Sequence, residues 1–265
     1  MENFQTLTIQ SLVERGAVFY ISHSGGKDSQ AMYALVQRFV PQDQIVVMHA
    51  DLGDVEWAGT QGHIRDNISH PLNVVKAIWK NGSEKTFLGM VADRFEKRPD
   101  APSWPSPSLR QCTSDLKRGP LQKFMRNDMK ARGATLAINC MGLRAEESTA
   151  RSKLDDWKLN KAMSKAGRTV YDWLPIHDWS TRMVFAQIKT AGQEPHWAYA
   201  SGNERLSCMF CIMGSDNDLR NAARQNPELA RKYIDLEQRT GYGMFHKRKL
   251  SDIIATDINV KETTI

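Results

Sequence analysis

The chain has 265 residues, of which 41% are hydrophobic and 25% charged, and its formal net charge is +6. This length and composition predict one large folded domain, or one domain with an appendage. No apolar run is long enough to cross a membrane and residues 1–5 lack the layout of a signal peptide, so we expect a cytoplasmic protein without a membrane partner.

The first quarter of the chain predicts a helix, a strand, a helix and a strand. Residues 1–16 predict a short helix that ends at Gly16. The apolar run 17–21 predicts a buried strand, a helix then extends to about Val40, and residues 44–51 predict a second buried strand. A strand, helix and strand of these lengths predict a right-handed parallel unit.

The middle of the chain predicts less regular structure. A helical stretch begins at Glu56, and residues 72–79 predict a third strand. Residues 97–109 contain four prolines and predict a loop of the kind that serves as a lid or binding segment. Thr113 or Ser114 is predicted to cap the next helix.

The second half predicts strands at 134–142 and 171–176 and a helix at 181–191 capped by Ser180. It also predicts a helix that has Asn226 as its cap, Pro227 at its first position and its end at Gly241. The polar, basic stretch 151–170 predicts a mobile, solvated segment. We expect a nucleotide-binding α/β domain over residues 1–200 and a C-terminal Cys-x-x-Cys and helical segment over 201–265.

The stretch between the first strand and the first long helix has the composition of an anion site. Glycines let the backbone approach phosphate oxygens, and the free N–H groups of a first helical turn point at them. A tight turn with an Asp/Ser helix cap is the alternative interpretation. The glycine-to-lysine spacing and the residue after the lysine exclude a Walker A loop. The stretch reads Ser24, Gly25, Gly26, Lys27, Asp28 and Ser29.

Asp51 ends the second predicted strand. Ligands of parallel sheets lie beyond the carboxyl ends of the strands, which predicts that Asp51 lies near the bound nucleotide. A simple strand-end turn is equally compatible with the local sequence.

Ser-Gly-Gly-Lys-Asp-Ser resembles the PP-loop of the ATP pyrophosphatases, which bind ATP and release pyrophosphate. Four further blocks follow in order, and together they resemble the phosphoadenosine phosphosulfate (PAPS) reductase family of the PP-loop superfamily over roughly residues 12–215. These blocks are Arg110-Gln111-Cys112-Thr113 with Lys117 and Pro120, Gly142 to Ser148 with Arg151, Pro175 to Trp179, and Cys208-x-x-Cys211.

The resemblance implies a doubly wound α/β fold with a mainly parallel sheet of the adenine nucleotide alpha hydrolase-like type, and a small C-terminal helical appendage that contains cysteines. It implies ATP with Mg²⁺ as the bound nucleotide, with Asp51 near the ribose or the Mg²⁺. Catalytic roles fall to Lys27, Asp28 and Arg144. The implied nucleotide-binding residues are Ser24, Gly25, Gly26, Lys27, Asp28, Ser29, Asp51, Arg110, Lys117, Gly142, Arg144 and Arg151, and Glu146 and Glu147 are expected to orient the arginines.

Reductases of this family resemble one another in a C-terminal Glu-Cys-Gly-(Ile/Leu)-His segment whose cysteine attacks the sulfate sulfur. This sequence has no cysteine after Cys211. We therefore expect chemistry other than sulfonucleotide reduction.

Cys208 and Cys211 have a chelate spacing found in zinc and iron–sulfur sites. The family resemblance adds Cys112 and implies a [4Fe–4S] cluster, with Cys140 as the fourth ligand or with one iron open, as in PP-loop tRNA thiolases. A buried apolar thiol is the alternative for Cys140. Zn²⁺ completed by His177 or His196, and a free Cys208/Cys211 pair, are the other interpretations.

The expected function is iron–sulfur-dependent sulfur transfer to an acceptor that ATP activates. DNA or tRNA is the candidate acceptor, since residues 151–170, residues 247–249 and Trp104 suit nucleic acid, and a cysteine desulfurase or another donor would supply sulfur. A sulfonucleotide reductase that borrows its thiol from another chain, and a non-catalytic nucleotide-sensing regulator, are the alternatives. The oligomeric state stays open.

Overall fold

A computed structural model describes residues 8–245 and 248–255. Residues 1–7 of the predicted N-terminal helix and Lys247 of the basic triplet lie outside the described residues. The described chain forms two compact units. The first comprises residues within Met1–Ala50, Gly59–Val75 and Pro120–His196, and the second comprises residues within Asp51–Ala58, Lys76–Gly119 and Trp197–Ile265. The division expected near residue 200 stays a prediction.

The described residues contain six strands and ten α-helices. The strands are β1 Val18–Ser22, β2 Ile45–Asp51, β3 Leu72–Lys76, β4 Leu136–Cys140, β5 Trp157–Leu159 and β6 Thr169–Trp173. The helices are α1 Ile9–Glu14, α2 Lys27–Val36, α3 Thr60–Asp66, α4 Phe87–Lys97, α5 Gly119–Arg132, α6 Thr181–Thr190, α7 Trp197–Ala200, α8 Asp216–Gln225, α9 Pro227–Thr240 and α10 Leu250–Ile254.

The strands form one sheet in the order β3-β2-β1-β4-β6-β5. The pairs β1–β2, β1–β4 and β4–β6 are parallel, and β5 is antiparallel to β6. The parallel β1–α2–β2 unit is the one that the sequence predicts. After β3 the chain crosses to the other side of β1 and forms β4, so the strand order reverses between β1 and β4, where doubly wound proteins place their ligands.

Helices cover both faces of this sheet. One face packs against α2 and α6 through residues such as Met32 and Val184, and these two helices also contact each other. The other face packs against α5 through Met125 and Met129. The predicted α/β doubly wound fold with a mainly parallel sheet is therefore confirmed.

The second unit has its own aromatic core. Tyr233 of α9 stacks on Phe87 of α4 with ring centroids 5.7 Å apart and on Trp104 at 5.8 Å. Trp104 is buried, and its indole N–H donates to the carbonyl of Tyr242 at 2.8 Å. The interpretation of Trp104 as an exposed nucleic-acid contact is wrong, because apolar burial and a satisfied N–H place it in the core.

Several predicted boundaries also differ from the structure. A π-helix, Cys112–Arg118, continues directly into α5, so neither Thr113 nor Ser114 caps a new helix. The helix expected from Glu56 begins at Thr60 instead. The stretch 151–170 is not solvated throughout, since it contributes β5 to the edge of the sheet. The described helices are all too short or too polar to cross a membrane.

Candidate active site

The loop between β1 and α2 leaves the start of the helix open. Gly25 has φ +79°, in the left-handed region that favours glycine. Gly26 is the N-cap of α2, and no side chain caps this helix. By contrast, Ser180, Ser215 and Asn226 each accept a backbone N–H at the start of their helices. The first N–H groups of a helix have no intrahelical acceptor, so the α2 terminus can bind an anion.

The two loop serines close the turn on itself. The Ser29 hydroxyl donates to the carbonyl of Gly26 at 2.8 Å and accepts the N–H of Ser24 at 3.1 Å. The Ser24 hydroxyl lies 3.2 Å from that of Ser29, and Ser24 is exposed. Ser29 is buried and shapes the loop, whereas Ser24 presents its hydroxyl at the surface.

Gly142, just beyond β4, lies against the first turn of α2. A Cβ built on Gly142 would lie 3.0 Å from both the carbonyl carbon and oxygen of Asp28, and 3.1 Å from the nitrogen of Ser29. Only glycine allows two backbone segments to approach this closely. The position therefore joins the β4 loop to the PP-loop helix.

Asp28 binds two cations at the helix start. Its carboxylate accepts from Lys27 Nζ at 2.9 Å and from Arg144 Nε at 2.6 Å. The Arg144 side chain is only 3% exposed, compared with 20% for Asp28. A carboxylate in the first helical turn is also favoured by the helix dipole.

The remaining donors of Arg144 bind the loop before α6. Nη1 donates to Glu146 at 2.6 Å and to the carbonyl of Trp179 at 2.9 Å, and Nη2 donates to the Thr181 hydroxyl at 3.2 Å. Glu147 pairs with Arg151 and also accepts the backbone N–H of Arg144 at 2.9 Å. The two glutamates hold these arginines, as the sequence predicts. In this geometry Arg144 fixes Asp28 rather than facing solvent.

His23, directly before Ser24 of the loop, is a further residue of this site. It is 2% exposed, and its Nδ1 accepts the N–H of Gly25 at 3.1 Å, so the neutral ring carries its proton on Nε2. Nε2 has no hydrogen-bond partner among the described residues. Burial, with smaller contributions from His49 and His63, lowers the pKa of His23 to about 3. His23 therefore supports the loop as a neutral group.

The sequence position of His23, directly before Ser24-Gly25-Gly26, is the feature from which its contact with the loop backbone could have been predicted. The partners of Arg144 at Trp179 and Thr181 gave no such signal, because they are 35 and 37 residues away in the sequence. Only the fold brings these groups to one point.

Asp51 and Arg110 belong to the second unit. One Asp51 oxygen accepts the N–H of Gly53 at 2.8 Å, and the other lies 3.5 Å from Lys76 Nζ. These contacts form the strand-end turn that the sequence left open as an alternative. Arg110 is exposed, and its carbonyl accepts the N–H groups of Thr113 and Ser114. Their roles toward a nucleotide stay predictions.

Three of the four cysteines lie in the second unit together with Lys117. Cys112 begins the π-helix that also carries Lys117, and Cys208 and Cys211 lie in the turns before α8. The N–H of Met209 donates to Val55 at 2.9 Å and that of Met213 to the Cys211 sulfur at 3.4 Å. These contacts hold the Cys-x-x-Cys turn.

The charges of these groups interact. The negative charge of Cys208, and to a lesser extent that of Cys211 and Cys112, raises the pKa of the Lys117 ammonium group. Burial of Lys117 acts in the opposite direction. Burial raises the pKa of Cys208 to about 11 although Lys117 opposes this shift. Burial likewise raises the pKa of Cys112, with Lys117 again opposing. The three thiols therefore share one cation.

Cys140 has a different environment. It ends β4 in the first unit, is fully buried and packs in the apolar core beneath α2 and α6. Burial alone raises the pKa of its thiol far above the usual range. This is the setting of the apolar thiol that the sequence left open, and its role as a fourth ligand stays a prediction.

The three thiols of the second unit are the expected ligands of the metal centre. Three cysteines around one cation have the donor chemistry of an iron–sulfur ligand set. Within residues 8–245 and 248–255, however, no three or more His, Cys, Asp or Glu side chains are arranged to hold a metal ion. The described residues therefore show no arranged metal centre, and the role of the three thiols as metal ligands stays a prediction.

The second unit also has a surface cavity of about 750 Å³. Trp79 lines it, with Lys85 Nζ 4.7 Å and Lys97 Nζ 6.0 Å from the centre of its ring. None of the sequence-predicted site residues lines this cavity. Both lysines make cation–π contacts with the Trp79 ring. The cavity is therefore separate from the candidate active site.

A mainly parallel sheet with helices on both faces, and two loops that meet at the β1/β4 reversal, define a doubly wound α/β protein, a class that places its ligands at such a reversal. Residues 19–213 match the phosphoadenosine phosphosulfate reductase domain. This match spans well over half of the chain, which therefore belongs to the PAPS reductase family, as the sequence motifs predict.

Two curated relatives are similar over most of this chain. The uncharacterized protein MJ0973 of Methanocaldococcus jannaschii is 24% identical over 222 residues, which cover 83% of this chain and 48% of the relative. The uncharacterized protein MJ0066 of the same organism is 23% identical over 214 residues, which cover 80% and 40%. The chain spans about half the length of these relatives or less.

Two solved structures are similar at a low level. The PAPS reductase from Candida auris, in a phosphate complex, has a TM-score of 0.48 and 14% identity, covering 79% of this chain and 92% of that one. A 4-thiouridine synthetase in complex with RNA and ATP has a TM-score of 0.40 and 15% identity, covering 86% and 54%. At these scores neither supports a conclusion about function.

Proposed function

We propose that this chain is a PP-loop enzyme that binds ATP with Mg²⁺, releases pyrophosphate and so activates an acceptor for sulfur transfer. One observation supports this proposal above the others. The α2 terminus carries no side-chain cap, begins with two glycines and lies against Gly142, which makes a backbone cradle for phosphate oxygens.

The proposed roles follow from the contacts in the first unit. The loop amides would bind the phosphates, and Lys27 would move from Asp28 to the pyrophosphate as charge builds on it. Arg144 would keep Asp28 in place, because its guanidinium is buried and bound on several sides. Arg144 is thus proposed as a positioning residue rather than as a phosphate ligand.

The proposed reaction has two displacements. An acceptor oxygen attacks the α-phosphorus of ATP, the bond to the β-phosphate oxygen breaks, and pyrophosphate leaves with that electron pair. Sulfide then attacks the carbon that bears the adenylated oxygen, the bond between that carbon and the oxygen breaks, and AMP leaves with the electron pair. Stabilising the charge on both leaving groups is the main contribution of such a site.

Cys112, Cys208 and Cys211 are proposed as the sulfur-handling residues and as the thiolate ligands of a [4Fe–4S] cluster, which would supply a site for sulfide when bound. Lys117 supports this assignment, because the charge of its ammonium group interacts with all three thiols. Zn²⁺ on the same thiols is the alternative. The proposed acceptor is a nucleic acid.

The test is pyrophosphate release from ATP by anaerobically prepared protein, with DNA, tRNA or small carbonyl compounds as acceptors. Lys27→Ala should abolish release, whereas Lys189→Ala, which changes an exposed lysine of α6, should leave it unchanged. Equal release by the Lys27→Ala variant would contradict the assignment of the loop. ATP binding without release under every condition would favour the nucleotide-sensing regulator.

Sulfonucleotide reduction is the second candidate, since the family match itself favours it. Production of sulfite from PAPS or adenylyl sulfate with thioredoxin, and without ATP, would establish it. The same protein preparation serves both assays.

A further inference from the structure

The outer side of α5 carries a row of cations. Met125 and Met129 of this helix are buried against the sheet. Lys123, Arg126 and Lys130 fall three and four residues apart, and this spacing places them along one helix face. Lys123 and Lys130 are exposed and Arg126 is half-buried.

The turn between β5 and β6 lies against this face. Arg126 Nη1 donates to the sulfur of Met163 at 3.5 Å, and Met163 packs in the same apolar cluster as the buried methionines of α5. Asn160 holds the turn, since its carbonyl accepts the N–H of Ser164 at 2.8 Å and its amide donates to Asp172 at 3.0 Å. The turn is therefore fixed beside the helix by specific contacts.

The turn and the adjoining strand add further cations. Lys161 and Lys165 are exposed and Arg168 is half-buried. Lys158 of β5 lies directly across from Asp172 of β6 in the strand register. Asp172 is two residues after Val170, and Val170 packs on the α5 side of the sheet. Side chains alternate along a strand, so Lys158 lies on that side as well.

None of these cations forms an ion pair with a carboxylate in the part of the chain that the structure describes. The acidic residue nearest along the helix, Asp128, is already bound to Arg132 at 2.7 Å and to the Tyr20 hydroxyl at 2.7 Å. No large exposed hydrophobic residue lies within the described segments 119–132 and 158–168. We call this surface the α5 basic face; it consists of Lys123, Arg126, Lys130, Lys158, Lys161, Lys165 and Arg168.

We propose that the α5 basic face binds the phosphodiester backbone of a nucleic acid. This inference deepens the proposed function, because it locates the surface that would bind the nucleic-acid acceptor, and it rests on that proposal only for the link to catalysis. Rows of unpaired lysines and arginines bind polyphosphate backbones by releasing condensed counterions. An anionic membrane is the less suitable partner, because membrane-surface binding strengthens with the apolar area that inserts, and this face presents no large exposed hydrophobic residue.

The test measures binding of a fluorescein-labelled single-stranded RNA, and separately of a labelled DNA duplex, by the full chain in a salt series. The variant is Lys130→Gln/Lys161→Gln/Lys165→Gln. The matched control is Arg38→Gln/Arg65→Gln/Lys189→Gln, which removes three exposed cations from other surfaces of the same unit. We expect the variant to weaken RNA binding roughly tenfold or more and to lower the log–log salt slope by about 2, since each phosphate contact contributes about 0.7.

The control should bind as the wild type does. Equal binding by the variant, no binding of either nucleic acid by the wild type, or binding to phosphatidylglycerol vesicles in place of the oligonucleotides would each overturn the proposal. If the triple variant fails to fold, judged by circular dichroism, Lys130→Gln and Lys165→Gln are measured singly. Wild-type protein that binds RNA but releases no pyrophosphate would contradict only the proposed function. Wild-type protein that releases pyrophosphate but binds neither nucleic acid would contradict only this inference.

Discussion

Arg144 Nε donates to Asp28 Oδ1 at 2.6 Å, although the two residues are 116 positions apart in the sequence. This contact joins Arg144, in the segment after β4, to the first turn of α2. It holds the acidic residue of the motif in the place where Lys27 also binds it.

Replacing Arg144 with Gln should lower the free energy of unfolding by about 3 kcal/mol, because the change leaves Asp28 and Glu146 without their buried partner. Urea denaturation followed by circular dichroism measures this loss. Arg182→Gln, at an exposed position of α6, should change stability by less than about 0.5 kcal/mol. Equal effects of the two changes would show that Arg144 does not organise the site.

Gly142→Ala should disturb the α2 terminus, because its Cβ would meet the backbone of Asp28 and Ser29 at 3.0–3.1 Å. We expect a loss of about 1–3 kcal/mol in stability and a marked loss of ATP binding. Isothermal titration calorimetry measures the binding. Gly62→Ala in α3 is the control, because no atom lies within 4 Å of its Cβ and alanine favours helices, so it should stabilise by about 0.5–1 kcal/mol.

The stability should fall as the pH falls below about 6.5. Burial, with His49 and His63, lowers the pKa of His23 from 6.5 to about 3, and burial, with His63, lowers that of His196 to about 4. Below the ordinary pKa the unfolded chain binds protons that the folded chain does not, so protonation favours unfolding until the pH reaches the folded pKa.

His23 alone should account for about 2 kcal/mol between about pH 8 and pH 5, since one pKa unit corresponds to about 1.4 kcal/mol. Carboxylates titrate mainly below this window, which isolates the histidines. Urea denaturation across this range should show a shallower dependence for His23→Gln than for the wild type. Parallel curves for the two proteins would contradict the assignment.

The cysteine assignments predict that variants of the four cysteines differ in visible absorbance and in bound iron. If Cys112, Cys208 and Cys211 hold a [4Fe–4S] cluster, anaerobically reconstituted protein should be coloured, and a serine at any of these positions should remove the colour and the bound iron. Cys140→Ala should retain both, because Cys140 packs in the apolar core of the first unit. Colourless wild-type protein with one bound Zn²⁺ would favour the zinc alternative, and loss of iron in Cys140→Ala would make Cys140 a ligand.

The sequence by itself determined the local features. The apolar runs predicted β1 and β2, the Gly25-Gly26 pair predicted an open helix start, and Asn226-Pro227 with Gly241 fixed both ends of α9. These features depend on the conformational preferences and hydrogen bonds of residues close together in the chain, which a single sequence displays.

Only the tertiary structure decided how the distant groups are used. Arg144 resembles a phosphate ligand in the sequence, yet in the fold its guanidinium binds Asp28, Glu146 and Thr181. Trp104 follows prolines in a loop and is nevertheless buried beside Tyr233. A charged or aromatic side chain can satisfy itself with any partner that packing brings near, so its partners depend on the fold rather than on its neighbours in the chain.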